Sequence, residues 1–131
     1  SPWNMAQIYN APEFLDEMRY WHKLHEQLRP YLWETAKRCV TESKPILRPL
    51  VYEWPEDSNV LYCQDEYLLG NDLLVAPLLE ENAHSREVYL PQGTWTDFFS
   101  GKIYAANQTI VIDAGDKLPV FSRNGFQMKN D

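Results

Sequence analysis

Two cysteines, three histidines and five glycines among 131 residues leave little room for several kinds of chemistry. Cys39 and Cys63 stand alone, in no Cys-x-x-Cys spacing, so neither a zinc site nor a disulfide framework is expected. They read as two buried thiols in a reducing, cytoplasmic setting. The glycines form no phosphate-cradling loop, no dinucleotide fingerprint and no Gly-x-Ser-x-Gly elbow. Basic residues are scarce as well: twelve Lys and Arg face nineteen Asp and Glu, for a net charge of -7. No stretch gathers those cations into a patch that could neutralise phosphates, so nucleic acid is not expected as a partner. No apolar run approaches the ~18 residues of a membrane span, and no membrane partner is expected. The opening Ser1-Pro2-Trp3-Asn4 lacks the basic and apolar regions of a signal peptide and reads as a cut into a longer protein. The length itself excludes a complete eight-stranded (β/α) barrel, which needs about 250 residues.

Hydrophobic residues make up 44% of the chain and aromatic ones 14%, enough for a self-sufficient core and too much for disorder. Between Ala11 and about Ser43 the residues Phe14, Met18, Trp21, Leu24, Leu28, Tyr31, Leu32, Ala36 and Val40 recur at intervals of three and four, the pattern of an amphipathic helix. Pro12 suits its first turn, where a missing N–H costs nothing, and Glu13, Asp16 and Glu17 suit its positive end. Pro30 falls inside the pattern, so a kink or a junction of two helices is predicted there.

After Lys44-Pro45 the pattern changes to short apolar runs divided by turn residues, which predicts antiparallel strands. The expected strands are Ile46 to Glu53, Val60 to Tyr62, Tyr67 to Leu69, Leu73 to Leu79, Arg86 to Leu90, Thr94 to Phe98, Thr109 to Ile112 and Leu118 to Ser122. Turn chemistry separates them at Gly70-Asn71-Asp72, Pro91-Gln92-Gly93 and Ser100-Gly101-Lys102, among others. The fold class is therefore an α+β fragment, a helical segment followed by an antiparallel β-sandwich.

Few residues offer chemistry. His22 and His25 share one helix face with Glu17 and Glu26 within reach, yet the order is wrong for the zinc-protease motif and no metal site is assigned. His84 stands in a polar loop without a role. Carboxylates abound at Glu56-Asp57, Asp65-Glu66, Glu80-Glu81, Asp97, Asp113 and Asp116, but nearly all lie in or beside turns, where they act as caps and solubilising groups. No catalytic pair is assigned, although a glycosidase needs two carboxylates about 5 to 10 Å apart. Asn107-Gln108-Thr109 fits the glycosylation triplet, which arises often by chance. Sugars stack on flat apolar rings, which leaves Trp3, Trp21, Trp33, Trp54 and Trp95 as leads, with about four of the five expected in the core or an interface.

Three segments carry a resemblance. Trp54-Pro55-Glu56-Asp57, the run from Asp65 through Gly70-Asn71-Asp72 to Ala76-Pro77, and Tyr89-Leu90-Pro91-Gln92-Gly93-Thr94-Trp95 resemble the C-terminal region of family 31 glycoside hydrolases. The resemblance extends back through Leu47-Arg48-Pro49-Leu50 and Leu28-Arg29-Pro30-Tyr31-Leu32, and Pro2-Trp3 looks like the Pro-Trp that follows the family's last barrel strand. It departs at Phe121-Ser122-Arg123-Asn124-Gly125-Phe126, where the family has an apolar strand ending in Pro, and at Ala105-Ala106, where Gly is common.

The resemblance implies a fragment of a retaining α-glucosidase or α-xylosidase. Residues 1–45 would be the helical end of its catalytic barrel and residues 46–131 its proximal C-terminal β-sandwich. The Asp nucleophile and the Asp acid/base of that family have no counterpart here, so no catalytic residue is assigned, and no cofactor is expected. Trp3 is the one candidate for a place near the substrate, in the loop after the last barrel strand. The implied partners are α-linked glucosides or xylosides in the whole enzyme and the missing catalytic barrel. Self-association through apolar surface left bare by that barrel is expected too. The alternative is a stand-alone carbohydrate-binding module with Trp54 or Trp95 as its stacking platform, or an interaction module that docks on a separately encoded barrel.

Overall fold

The computed structural model describes residues 12–77, 85–113 and 119–128, with side chains from residue 18 onward. A helix, α1 (Pro12–Glu42), is followed by strand β1 (Leu47–Pro49), a short helix α2 (Leu50–Glu53) and a 3₁₀ turn (Ser58–Tyr62). Strands β2 (Tyr67–Leu69), β3 (Leu73–Val75), β4 (Ser85–Leu90), β5 (Trp95–Asp97), β6 (Ile103–Tyr104), β7 (Gln108–Asp113) and β8 (Val120–Arg123) complete the order. The strands form a six-stranded antiparallel sheet, β1-β2-β3-β8-β5-β6, and a two-stranded one, β4-β7.

Alternation along the strands builds two cores on opposite faces of the larger sheet. Leu68 pairs with Leu74, and Leu74 with Phe121, so one face carries all three side chains. That face meets Val88, Leu90 and Ile112 of the β4–β7 pair, with Trp95 fully buried among them. The opposite face carries Leu69, Leu73, Val75 and Val120, and against it lie Tyr20, Leu24, Leu28 and Tyr31 of α1. The α+β expectation is met, as a helix, a wide sheet and a narrow one in successive layers.

The kink expected near Pro30 is present. The backbone leaves helical geometry at Leu28 (φ -113°, ψ 16°), because the proline ring crowds the preceding turn and offers no N–H to it. The buried stripe runs Tyr20, Leu24, Leu28, Tyr31, Thr35, Cys39, whereas Ala36 and Val40, expected inside, are exposed.

Three local expectations fail. The strand expected over 46–53 stops at Pro49, which sits on the sheet's edge strand, and the chain turns at once into α2, with Trp54 N donating to Leu50 O. The run Val60 to Tyr62 is a 3₁₀ turn because Asp57 caps it: Oδ1 of Asp57 accepts from Asn59 N at 3.0 Å, and only Val60 faces inward. Ile103–Tyr104, which falls in none of the expected strands, pairs with β5. The last strand, where the sequence departs from the family pattern, lies inside the sheet between β3 and β5.

A cluster of contacts fastens α1 to the sheet. Tyr31 Oη donates to Leu69 O at 2.7 Å and accepts from Asp72 N at 3.3 Å. The buried Arg48 donates from Nε to Pro45 O at 2.7 Å and from Nη1 to Asn71 Oδ1 at 2.8 Å, while its Nη2 lies 3.7 Å from Cys39 Sγ. Between them Gly70, at φ +68°, donates its N–H to Ile46 O.

Candidate functional site

The tryptophans fare unequally. Trp95 is fully buried, its Nε1 donating to Pro91 O at 2.8 Å, and so cannot serve as a sugar platform. Trp54 is half-buried, with the Arg123 guanidinium 4.9 Å from its ring centroid and the Trp95 ring edge-on at 6.0 Å. Trp21 packs against the helix–sheet core. Among the described tryptophans Trp33 is the exposed one, 68% accessible, with the Lys37 ammonium 5.7 Å from its ring. It borders an open groove of about 400 Å³ between α1 and the end of the described chain, lined also by Tyr31, Arg38, Asp72, Phe126 and Met128. Trp3 and His84 lie outside the described residues.

His22 and His25 are exposed, and no group of three His, Cys, Asp or Glu among the described residues could hold a metal ion. No described helix is long and apolar enough to cross a membrane. Cys39 is buried as expected, but Cys63 is only half-buried; both are free thiols.

Two of the described carboxylates do the work expected of turn residues. Asp57 caps the 3₁₀ turn, and Asp97 Oδ1 accepts from Phe99 N and Ser100 N, both at 2.9 Å. Glu66 is different, being 3% exposed. Its Oε1 accepts from Tyr89 N at 2.7 Å, and Oε2 has no hydrogen-bond partner among the described residues. Arg86 Nη2 approaches Oε1 only to 3.9 Å and lies nearer Asp65 Oδ1, at 3.0 Å. Burial pushes the Glu66 carboxyl up to about 7, against the opposing pulls of the Tyr89 N–H and Arg86. Burial also raises the Cys63 thiol to about 12, helped by Glu66 and Asp65. Nearby, Tyr89 Oη donates to Asp57 Oδ2 at 2.6 Å.

This cluster joins the two sheets, with Tyr89 and Arg86 of β4 meeting Asp65 and Glu66 beside β2. Its cation, Arg86, is shared between Asp65 at 3.0 Å and Glu66 at 3.9 Å. Sequence reading placed Asp65-Glu66 among the turn caps. The burial of Glu66 comes from β4, some twenty residues away in the chain, and carries no local signal.

Residues 43–126 match the glycosyl hydrolase family 31 C-terminal domain. An isomaltosyltransferase of Sporosarcina globispora is 32% identical over 126 residues, which is 95% of this chain and 12% of that enzyme. An α-glucosidase of Saccharolobus solfataricus is 33% identical over 103 residues, covering 79% of this chain and 14% of its own length. Among solved structures, the cycloalternan-degrading enzyme of Trueperella pyogenes in complex with isomaltose superposes with a TM-score of 0.74 at 31% identity, over 97% of this chain and 18% of that one. An α-xylosidase from a soil metagenome, complexed with xylose, gives 0.72 at 35% identity over 79% and 16%. The chain thus spans less than a fifth of the length of these relatives, and along nearly all of its own length it belongs to glycosyl hydrolase family 31, as a part of the C-terminal region of those enzymes.

Proposed function

We propose that this chain is the supporting C-terminal part of a retaining α-glucosidase or α-xylosidase and is inactive alone. In this reading residues 1–45 close the catalytic barrel, residues 46–131 form the proximal β-domain beneath it, and both catalytic Asp residues belong to the barrel. Trp3 stands at the mouth of the active site, and α-linked glucosides or xylosides are the substrates of the whole enzyme. The named activities of the relatives support this substrate class.

The observation that carries the reading is a second apolar stretch on α1. While Leu24 and Leu28 pack on the sheet, Trp33 and Val40 stay 68% and 82% exposed on the same helix. Large apolar side chains left bare on a core-forming helix mark surface built for a neighbour, and a barrel is the neighbour of fitting size.

The chain alone is expected to hydrolyse neither aryl α-glucosides nor aryl α-xylosides, and to self-associate in sedimentation. Mixed with a separately produced barrel of a relative, it is expected to restore activity, and Trp33→Asp or Val40→Asp to abolish the restoration. Turnover by the chain alone would overturn the proposal. In the restored enzyme Trp3→Ala lowers kcat/KM; an unchanged value removes Trp3 from the site. The carbohydrate-binding alternative keeps little support, since Trp95 is inaccessible and Trp54 already carries a guanidinium. Heat released on titration with maltooligosaccharides would revive it.

A further inference from the structure

Strand β8 ends in a turn that also holds the start of β5. Asn124 and Gly125 take φ +52° and +77°, and Phe126 N donates to Arg123 O at 3.0 Å, which makes a type I′ turn. Both residues are exposed, and they form the only Asn-Gly pair in the sequence. Asn124 clasps Thr94 twice: its N–H donates to Thr94 O at 2.7 Å, and its Oδ1 accepts from Thr94 N at 2.9 Å. Two groups of the turn have no hydrogen-bond partner among the described residues, the N–H of Gly125 and Nδ2 of Asn124.

We propose that Asn124 is a site of spontaneous covalent modification, converted through a succinimide to isoaspartate and aspartate, and that isoaspartate releases the clasp on Thr94. The main-chain N of Gly125 bonds to Cγ of Asn124 and gives up its proton, while the bond from Cγ to Nδ2 breaks and that nitrogen leaves as ammonia. Water then opens the cyclic imide at either carbonyl, with no oxidant or reductant involved. The attacking nitrogen and the leaving group are thus the two groups that the turn leaves unbound.

Asparagine is among the thermolabile residues, and this turn directs the reaction to one of them. Nothing stands within 4 Å of the place a Cβ of Gly125 would take, so no side chain obstructs the rotation that brings Gly125 N onto Cγ. That rotation gives up one turn bond, Phe126 N to Arg123 O. The Thr94 N–H already points at Oδ1, the oxygen that gains charge under attack. Asn59, Asn71 and Asn107 precede Val60, Asp72 and Gln108, whose side chains crowd the attacking nitrogen.

The two products differ in effect. Aspartate keeps an acceptor for Thr94 N. Isoaspartate carries the main chain through Cβ and Cγ, one methylene longer, so the N–H and the side-chain oxygen no longer meet Thr94 in register. Phe126, edge-on to Tyr31 at 5.4 Å, and Met128 pack on the helix–sheet core just beyond, and the longer link shifts both.

Ageing the complete chain at mildly alkaline pH, natively and unfolded in urea, followed by peptide mass mapping, tests the proposal. In the native chain the Asn124 peptide is expected to gain the mass of a hydroxyl in place of an amide, with isoaspartate the main product, while Asn59, Asn71 and Asn107 stay intact. Hydrogen exchange of the aged chain then shows loss of protection at the Thr94 amide in the isoaspartate fraction. Gly125→Ala is expected to lose most of the conversion. Should that variant fail to fold, the native parent chain decides alone. An Asn124 that stays intact in it, whatever the unfolded chain does, or conversion spread evenly over the other asparagines, would overturn the proposal.

Discussion

Gly70→Ala is expected to destabilise the chain by on the order of 3 kcal/mol, enough to remove much of a small domain's stability. Gly70 turns the chain between β2 and β3 at φ +68°, a conformation that costs an L-residue roughly 1 to 2 kcal/mol. A Cβ there would also lie 2.5 Å from Tyr31 Oη and 2.5 Å from Thr35 Cγ2, inside contact distance of both. Neither neighbour can give way cheaply. Tyr31 is anchored to Leu69 O, and Thr35 is buried on a helix that is itself pinned. Urea unfolding measures the loss through a lower midpoint at unchanged slope. The double variant Gly70→Ala, Tyr31→Phe should lose less than the sum of the single changes, because the second removes one of the colliding atoms. An additive result would show that the Tyr31 hydroxyl adds nothing to the cost, leaving it to the backbone conformation and Thr35.

A chain starting at residue 43, where the match to the family domain begins, should not fold into a monomer. Without α1, Leu69, Leu73, Val75 and Val120 face water, although they are nearly or fully buried in the complete chain. Uncovering four such side chains costs on the order of 8 kcal/mol, comparable with the whole stability of a domain this size. Arg48 would also lose the Cys39 side of its surroundings, and Leu69 O its Tyr31 donor. Expected observations are dye binding, poorly dispersed amide signals and aggregates on gel filtration, with recovery when a peptide spanning 12–42 is supplied. A well-dispersed monomer with a cooperative transition would refute the prediction. The consequence is that the division proposed near residue 45 and the unit that folds need not coincide, since α1 forms one wall of the core against the six-stranded sheet.

Much of this architecture was legible in the order of residues. The three- and four-residue spacing from Met18 to Val40 and the early Pro12 specify a long helix whatever surrounds it, and Pro30 bends that helix through the loss of a donor and a local clash. Turn residues at Gly70-Asn71-Asp72 and Pro91-Gln92-Gly93 mark where strands must end, and the segments around them suffice to name the family. These are effects of neighbours a few bonds apart.

What only the folded chain decided involves partners far apart in sequence. Periodicity could not say which of two adjacent helix stripes meets the sheet, and the sheet chose Thr35 and Cys39 over Ala36 and Val40. Apolar composition could not separate Trp95, sealed between layers, from Trp33, left in the open, because burial belongs to the assembled layers and not to the residue. Glu66 looks like any turn carboxylate until β4 arrives and gives it the Tyr89 N–H, a contact across 23 positions. Local geometry is set by short-range sterics and hydrogen bonding, whereas burial and electrostatics are set by whatever the fold brings alongside.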